Sequence, residues 1–209
     1  MKSKIDYSLY LVTNRDLMVS SSLEMVVEES IKGGVTLVQL REKHALGLEF
    51  YNLGKRIKSI TQKYGVPLII NDRIDVAQAV DADGVHIGQK DLPVAEVRKI
   101  LGNNKIVGVS ASNLQEAIEA EVNGADYLGV GAMYPTTTKG DAECVTMEEL
   151  SKIRTRVKIP IVVIGGINDN NIPNFRGTGI DGVAVVSAIM SAKNTKNAAE
   201  KLKNLIKMF

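Results

Sequence analysis

A (β/α)8 barrel is the fold class this sequence predicts, and three observations predict it. Eight short β-rich runs alternate with segments of helical spacing along 209 residues. The runs are continuously apolar, which is the pattern of parallel strands covered on both faces. Five of them lead into polar or glycine-rich residues, and barrels of this kind build their sites from the C-terminal ends of strands. A doubly wound open sheet competes, but no Gly-x-Gly-x-x-Gly follows the first run. No Pro/Ser-rich linker or composition break divides the chain, so residues 1–209 are expected to form one domain.

The first strand is expected over residues 9–13. Ser20, Ser21 and Ser22 then offer N-caps to a helix whose Leu23, Val26, Val27, Ser30 and Ile31 share a face. The second strand, residues 36–40, stops abruptly at Arg41-Glu42-Lys43. Burying unpaired charge is costly, so a core strand that finishes this way has polar work at its end. The third strand, residues 67–71, leads into Asp72-Arg73, and the fourth, residues 84–87, into Gly88-Gln89-Lys90-Asp91. Residues 105–109 form the fifth, followed by Ser110. The next helix carries Leu114, Ala117, Ile118 and Glu121, with Ser112 or Asn113 as its cap and Glu116 in the first turn. The sixth, residues 127–130, precedes Pro135-Thr136-Thr137-Thr138-Lys139-Gly140, a polar loop with a glycine hinge, which is how a lid is built. The seventh, residues 160–164, turns at Gly165-Gly166, and the eighth, residues 182–186, runs into Ser187. Gly124-Ala125-Asp126-Tyr127 and Gly179-Ile180-Asp181-Gly182 repeat one small motif at turns from helix into strand. Glycine there releases the chain through a left-handed conformation, a structural role on the opposite face.

Composition narrows the function classes. With 26 basic and 24 acidic residues, no net charge suggests a nucleic-acid partner. One cysteine, Cys144, allows neither an internal disulfide nor a cysteine zinc cage. No run is apolar and long enough to span a bilayer, so a cytoplasmic protein without a membrane partner is expected. A homo-oligomer is compatible with the sequence.

The barrel places Gln39, Arg41, Lys43, Asn71, Asp72, Gln89, Asp91, Ser110, Thr136, Thr137, Thr138, Lys139, Gly166, Val186 and Ser187 around one rim. Asp72 and Asp91 end neighbouring strands, and magnesium takes one or two protein carboxylates together with waters and phosphate oxygens. Each aspartate alone could equally cap a helix or pair with Arg73 or Lys90. Beside Arg41, Lys43 and Lys139, however, the pair favours a metal-bound polyphosphate. Rim salt bridges with Glu42 and Asp141 are the plainer account of any single cation. Gly165-Gly166 and Val186-Ser187 follow strands seven and eight, where barrels commonly bind a phosphate monoester through backbone N–H groups. His86 reads as a hydrogen-bonded core histidine and His44 as exposed, so neither is assigned to catalysis. Cys144, with no histidine nearby in sequence, is not read as a nucleophile.

Taken together, Gln39-Leu40-Arg41-Glu42-Lys43, Asn71-Asp72-Arg73, Gly84-Val-His-Ile-Gly-Gln89 with Asp91, Gly108-Val-Ser110, Pro135-Thr-Thr-Thr-Lys139, Ile164-Gly-Gly-Ile167 and Val185-Val-Ser187 closely resemble the thiamine-phosphate synthase family. The likeness runs from about Tyr10 to Ala188. It implies an enzyme that joins hydroxymethylpyrimidine diphosphate to a thiazole phosphate and releases diphosphate. The segment from Gln39 through Leu40, Arg41 and Glu42 to Lys43, with Asn71, Ser110 and Lys139, would then bind the pyrimidine diphosphate. Asp72 and Asp91 would hold Mg2+, and Thr136, Thr137, Thr138, Gly166, Val186 and Ser187 would contact the thiazole phosphate. Lys139, Ser110, Arg41 and Lys43 would stabilise the departing charge. Lys90 is a departure, standing where relatives often carry an acid. Three rivals remain: a thiazole tautomerase, whose histidine after strand six is Ala132 here; a sensor of thiamine precursors; and a sugar-phosphate isomerase on the same fold.

Overall fold

Continuous apolar runs become strands buried along their length, apart from the half-buried Ser110 in the fifth. The computed structural model describes residues 5–19, 22–136 and 144–207. Its strands are Leu9–Val12 (β1), Leu37–Leu40 (β2), Leu68–Asn71 (β3), Gly84–Ile87 (β4), Ile106–Ala111 (β5), Tyr127–Val130 (β6), Ile161–Val163 (β7) and Gly182–Val185 (β8). All pair in parallel in chain order, and β1 pairs with β8, which closes the barrel. Successive side chains on a strand point to opposite faces, so the barrel has two cores. Tyr10, Leu37, Ile69, Ile106, Tyr127, Val162 and Ala184 fill its interior. Leu9, Leu11, Val38, Leu40, Leu68 and Ile70 pack outward under the helices.

Those helices are Leu23–Lys32 (α1), Gly47–Lys63 (α2), Ile74–Ala79 (α3), Val94–Leu101 (α4), Leu114–Val122 (α5), Met147–Arg156 (α6), Ser187–Met190 (α7) and Thr195–Ile206 (α8). Ser22 caps α1 by accepting the Met25 N–H at 3.3 Å; Ser20 and Ser21 lie outside the described residues. At α5 the cap is Asn113, which accepts the Glu116 N–H at 3.0 Å, and Glu116 reaches back to the Ser112 N–H at 2.7 Å. This reciprocal pairing satisfies donors the helix itself leaves open.

The expected helix after the seventh strand is only a 3-10 turn, Ile172–Phe175. Pro173 lacks an N–H to extend it, and Gly177 and Gly179 follow with φ of 76° and 75°. Gly179 therefore leaves a 3-10 turn and not an α-helix, whereas Gly124, with φ 94°, follows the end of α5 as the motif predicts.

The aspartates of these repeated motifs act as latches on the N-terminal face. Asp126 and Asp181 accept the Val107 and Ile161 N–H groups, at 2.7 and 2.9 Å, from the strand before their own. Asp83 does the same for Leu68 at 2.7 Å. Each carboxylate also holds a cation, Arg98, Arg154 or Lys58. Among the described residues, no helix is long and apolar enough to cross a membrane.

Candidate active site

One pocket opens at the C-terminal mouth of the barrel. Gln39, Arg41, Lys43, Asn71, Ser110, Thr136, Gly166, Val186 and Ser187 all line it. The cationic strand end and the glycine turn thus share one cavity. Thr137, Thr138 and Lys139 lie outside the described residues.

Arg41 and Lys43 follow β2. The Arg41 backbone N–H is held by Thr13 Oγ1 at 3.1 Å, and among the described residues its guanidinium makes no ion pair. The Lys43 ammonium bonds Asp72. Asp72 sits just past β3 with φ 59°, a left-handed conformation that aspartate tolerates better than most residues. Its backbone N–H donates to the His86 carbonyl of β4 at 2.9 Å, which ties the two strand ends together. Asp91 Oδ2 accepts the Gly88 N–H at 2.7 Å. Burial raises the Asp91 carboxyl above its usual range, and the nearby Asp72 carboxylate adds to this against the opposing Gly88 bond.

The plainer accounts of Asp72 do not describe what it does. Arg73 pairs with Asp75 instead, at 2.5 Å, and occupies the position before α3 itself. Asp91 does serve its own turn through Gly88, and Lys90 is exposed. Two carboxylates that repel each other beside an ammonium make a chemically suitable seat for a hard divalent cation. Among the described residues, no group of three or more potential ligands gathers, and two carboxylates are what magnesium ordinarily takes from a protein.

The opposite wall is built by backbone. Gly165 and Gly166 have φ of 96° and 66°. A Cβ on Gly166 would lie 2.7 Å from Tyr134 Cβ and 2.8 Å from the Pro135 carbonyl oxygen. Only glycine fits this turn, which leaves its surface open to a ligand. Val186 and Ser187 complete the wall at the start of α7.

Two residues of the Gln39–Lys43 segment turn elsewhere. Leu40 is fully buried in the outer core, because alternation along β2 points it away from the pocket that Gln39 faces. The Glu42 carboxylate pairs with Arg15, at 2.6 Å, and not with Arg41 or Lys43. Burial raises its pKa, while Arg15 opposes the shift. Arg15, 27 residues earlier in the chain, carried no sequence signal for this pairing.

His86 is hydrogen-bonded and buried as expected, but its partners were not legible. Its Nδ1 meets Tyr127 Oη at 2.9 Å, and its Nε2 meets Ser110 Oγ at 3.0 Å. Tyr10 holds Gln39 at 2.8 Å. Glycines at 108 and 129, inside apolar strands, are the available sequence signal, since a strand glycine often marks a close approach. Cys144 is exposed.

Comparison with known proteins identifies the family. The sequence profile of a family described as thiamine monophosphate synthase matches residues 9–189. A thiamine-phosphate synthase of Clostridium beijerinckii is 61% identical over 204 residues, covering 98% of both chains. One from Clostridium botulinum is 59% identical, covering 97% of this chain and 95% of the relative. The solved structure of a thiamine phosphate pyrophosphorylase from Pyrococcus furiosus superposes with a TM-score of 0.90 at 42% identity, covering 97% and 96% of the two chains. On the shared barrel, the matched profile and these near full-length identities, the chain belongs to the thiamine monophosphate synthase family.

Proposed function

We propose that the pocket condenses 4-amino-2-methyl-5-hydroxymethylpyrimidine diphosphate with 4-methyl-5-(2-phosphoethyl)thiazole to give thiamine phosphate and diphosphate; from the carboxylated form of the thiazole, carbon dioxide is released as well. One observation carries the reading: Arg41 and Lys43, the latter paired with Asp72, line a single cavity with a glycine-floored anion cradle. A sugar-phosphate isomerase would use the cradle and leave the cations idle. A tautomerase would need a histidine where the chain has Ala132.

The reaction is a dissociative substitution at the pyrimidine methylene. The carbon–oxygen bond breaks, its electron pair leaves with diphosphate, and the aminopyrimidine stabilises the resulting cation until the thiazole nitrogen attacks with its lone pair. Such chemistry needs positioning and charge stabilisation more than a strong base, so the lack of a catalytic histidine is no obstacle. Arg41, Lys43 and Lys139 neutralise the leaving group, and Ser110 donates to it. Gln39 and Asn71 orient the pyrimidine. Gly166, Val186 and Ser187 hold the thiazole phosphate, assisted by Thr136, Thr137 and Thr138. Asp72 and Asp91 are the ligands for Mg2+, which when bound would offset the diphosphate charge. The reading takes the chain as one domain acting in the cytoplasm on small molecules, with neither nucleic acid nor membrane as partner.

The test is to mix the purified protein with both substrates, with and without magnesium. Thiamine phosphate and diphosphate should form in equal amounts and only with the metal. No product under saturating magnesium would overturn the assignment.

A further inference from the structure

We infer that a buried hydrogen-bond relay through the barrel interior, from Gln39 through Tyr10, Tyr127 and His86 to Ser110, fixes the donor–acceptor polarity of two pocket residues at once. His86 is then a positioning residue that keeps Ser110 a donor. What Ser110 donates to rests on the condensation proposed above; the relay itself does not.

The contacts are continuous. Gln39 Nε2 donates to Tyr10 Oη at 2.8 Å, and Tyr10 Oη meets Tyr127 Oη at 2.8 Å. Tyr127 Oη meets His86 Nδ1 at 2.9 Å, and His86 Nε2 meets Ser110 Oγ at 3.0 Å. Five strands contribute one residue each. A tyrosine hydroxyl carries a single proton, so each link decides the next. Tyr10, receiving from Gln39, passes its proton to Tyr127, and Tyr127 passes its own to His86 Nδ1. The imidazole proton must then sit on Nε2, where it donates to Ser110 Oγ. The Ser110 proton is left for the pocket, and so is the Gln39 carbonyl as an acceptor.

The opposite polarity would turn the Gln39 amide over and spend the Ser110 proton on His86. The pocket argues against that state. Arg41 and Lys43 line the same mouth, so the ligand beside Ser110 is anionic and requires a donor. Gln39, as an acceptor, suits the exocyclic amino group of an aminopyrimidine. Burial raises both tyrosine pKa values well above the ordinary range, so the hydroxyls keep their protons at working pH.

The space for the relay is carved deliberately. A Cβ on Gly108 would lie 2.1 Å from Tyr127 Cζ, and one on Gly129 would lie 3.0 Å from His86 Cε1. Glycine weakens a strand interior, and here each glycine makes room for a ring of the relay. A fully satisfied buried network of this kind rigidifies its ends.

Two measurements test the relay. The chain has two histidines, so a 15N-labelled sample gives a simple imidazole spectrum with exposed His44 as internal reference. His86 should be neutral and protonated on Nε2 alone; a proton on Nδ1 overturns the relay. Tyr127→Phe should lower kcat roughly tenfold while KM for the pyrimidine diphosphate moves less than about threefold, because a misdirected donor loses part of what its deletion would cost. In a Ser110→Ala background the same change should cost nothing further; losses that multiply would overturn the coupling. The spectrum needs no substrate. A wrong tautomer in an active protein therefore defeats the relay alone, and the expected tautomer in an inactive protein defeats the condensation alone.

Discussion

Asp126→Ala should weaken the fold without touching the chemistry. Asp126 Oδ2 accepts the Val107 N–H at 2.7 Å and pairs with Arg98 on the N-terminal face, across the barrel from the pocket. The substitution leaves a buried strand N–H without its acceptor, which costs about 1–3 kcal/mol. The Arg98 side chain is only 13% exposed but keeps bonds to the Gly124 and Lys105 carbonyls, at 2.9 and 2.6 Å. Losing its partly exposed counter-charge therefore adds only about 1 kcal/mol. Taking roughly 3 kcal/mol for the sum, Tm should fall by about 6–12 °C for a chain of this size. Urea denaturation followed by circular dichroism would give the stability, and thiamine phosphate formation at 25 °C would give kcat. A kcat reduced in step with stability would refute the separation of the two faces. An unchanged urea midpoint would refute the latch.

Further outcomes follow from the same geometry. Asp72→Asn keeps a residue that accepts a left-handed φ but removes one carboxylate, so kcat should fall by about 100-fold or more with Tm nearly unchanged. Lys139→Ala should lose activity in the same way while the barrel stays folded. Gly166→Ala forces a methyl to within 2.7 Å of Tyr134 Cβ at φ 66°; it should cost about 1–3 kcal/mol in urea and raise KM for the thiazole phosphate. The Lys63 ammonium, with the Tyr64 hydroxyl, lowers the Glu28 pKa from 4.5 to about 2. A depressed carboxyl contributes stability above its unfolded pKa and loses it as pH falls through the folded one. Glu28→Gln should therefore flatten the acid loss of stability between pH 4.5 and 2, as read by denaturation at a series of pH values.

The barrel was legible because apolar runs of four or five residues are a local signal, and all eight strands fall within two residues of their expected bounds. Ser110 shows the limit. It was expected just past the fifth strand but lies inside β5, paired in register with Gly129, because its polar side chain has a buried partner in His86. Gln39, Arg41, Lys43 and Gly166 were placed on the rim by strand ends alone. Glu42 was misread with them because its choice of Arg15 depends on folded proximity across 27 residues. The relay was out of reach for the same reason: its tyrosines are 117 residues apart and meet only when the barrel closes. The short turn after β7 was read as helical from the strand–helix alternation alone, although Asn168, Asn170, Asn171, Pro173, Gly177 and Gly179 are turn signals in the sequence.

The most direct measurement is a crystal structure of the protein with thiamine phosphate, diphosphate and magnesium. Diphosphate should lie between Arg41, Lys43 and a metal held by Asp72 and Asp91, with the ester phosphate against Gly166, Val186 and Ser187 in the same cavity. Diphosphate and ester phosphate bound in separate cavities, or a metal away from both aspartates, would contradict the account.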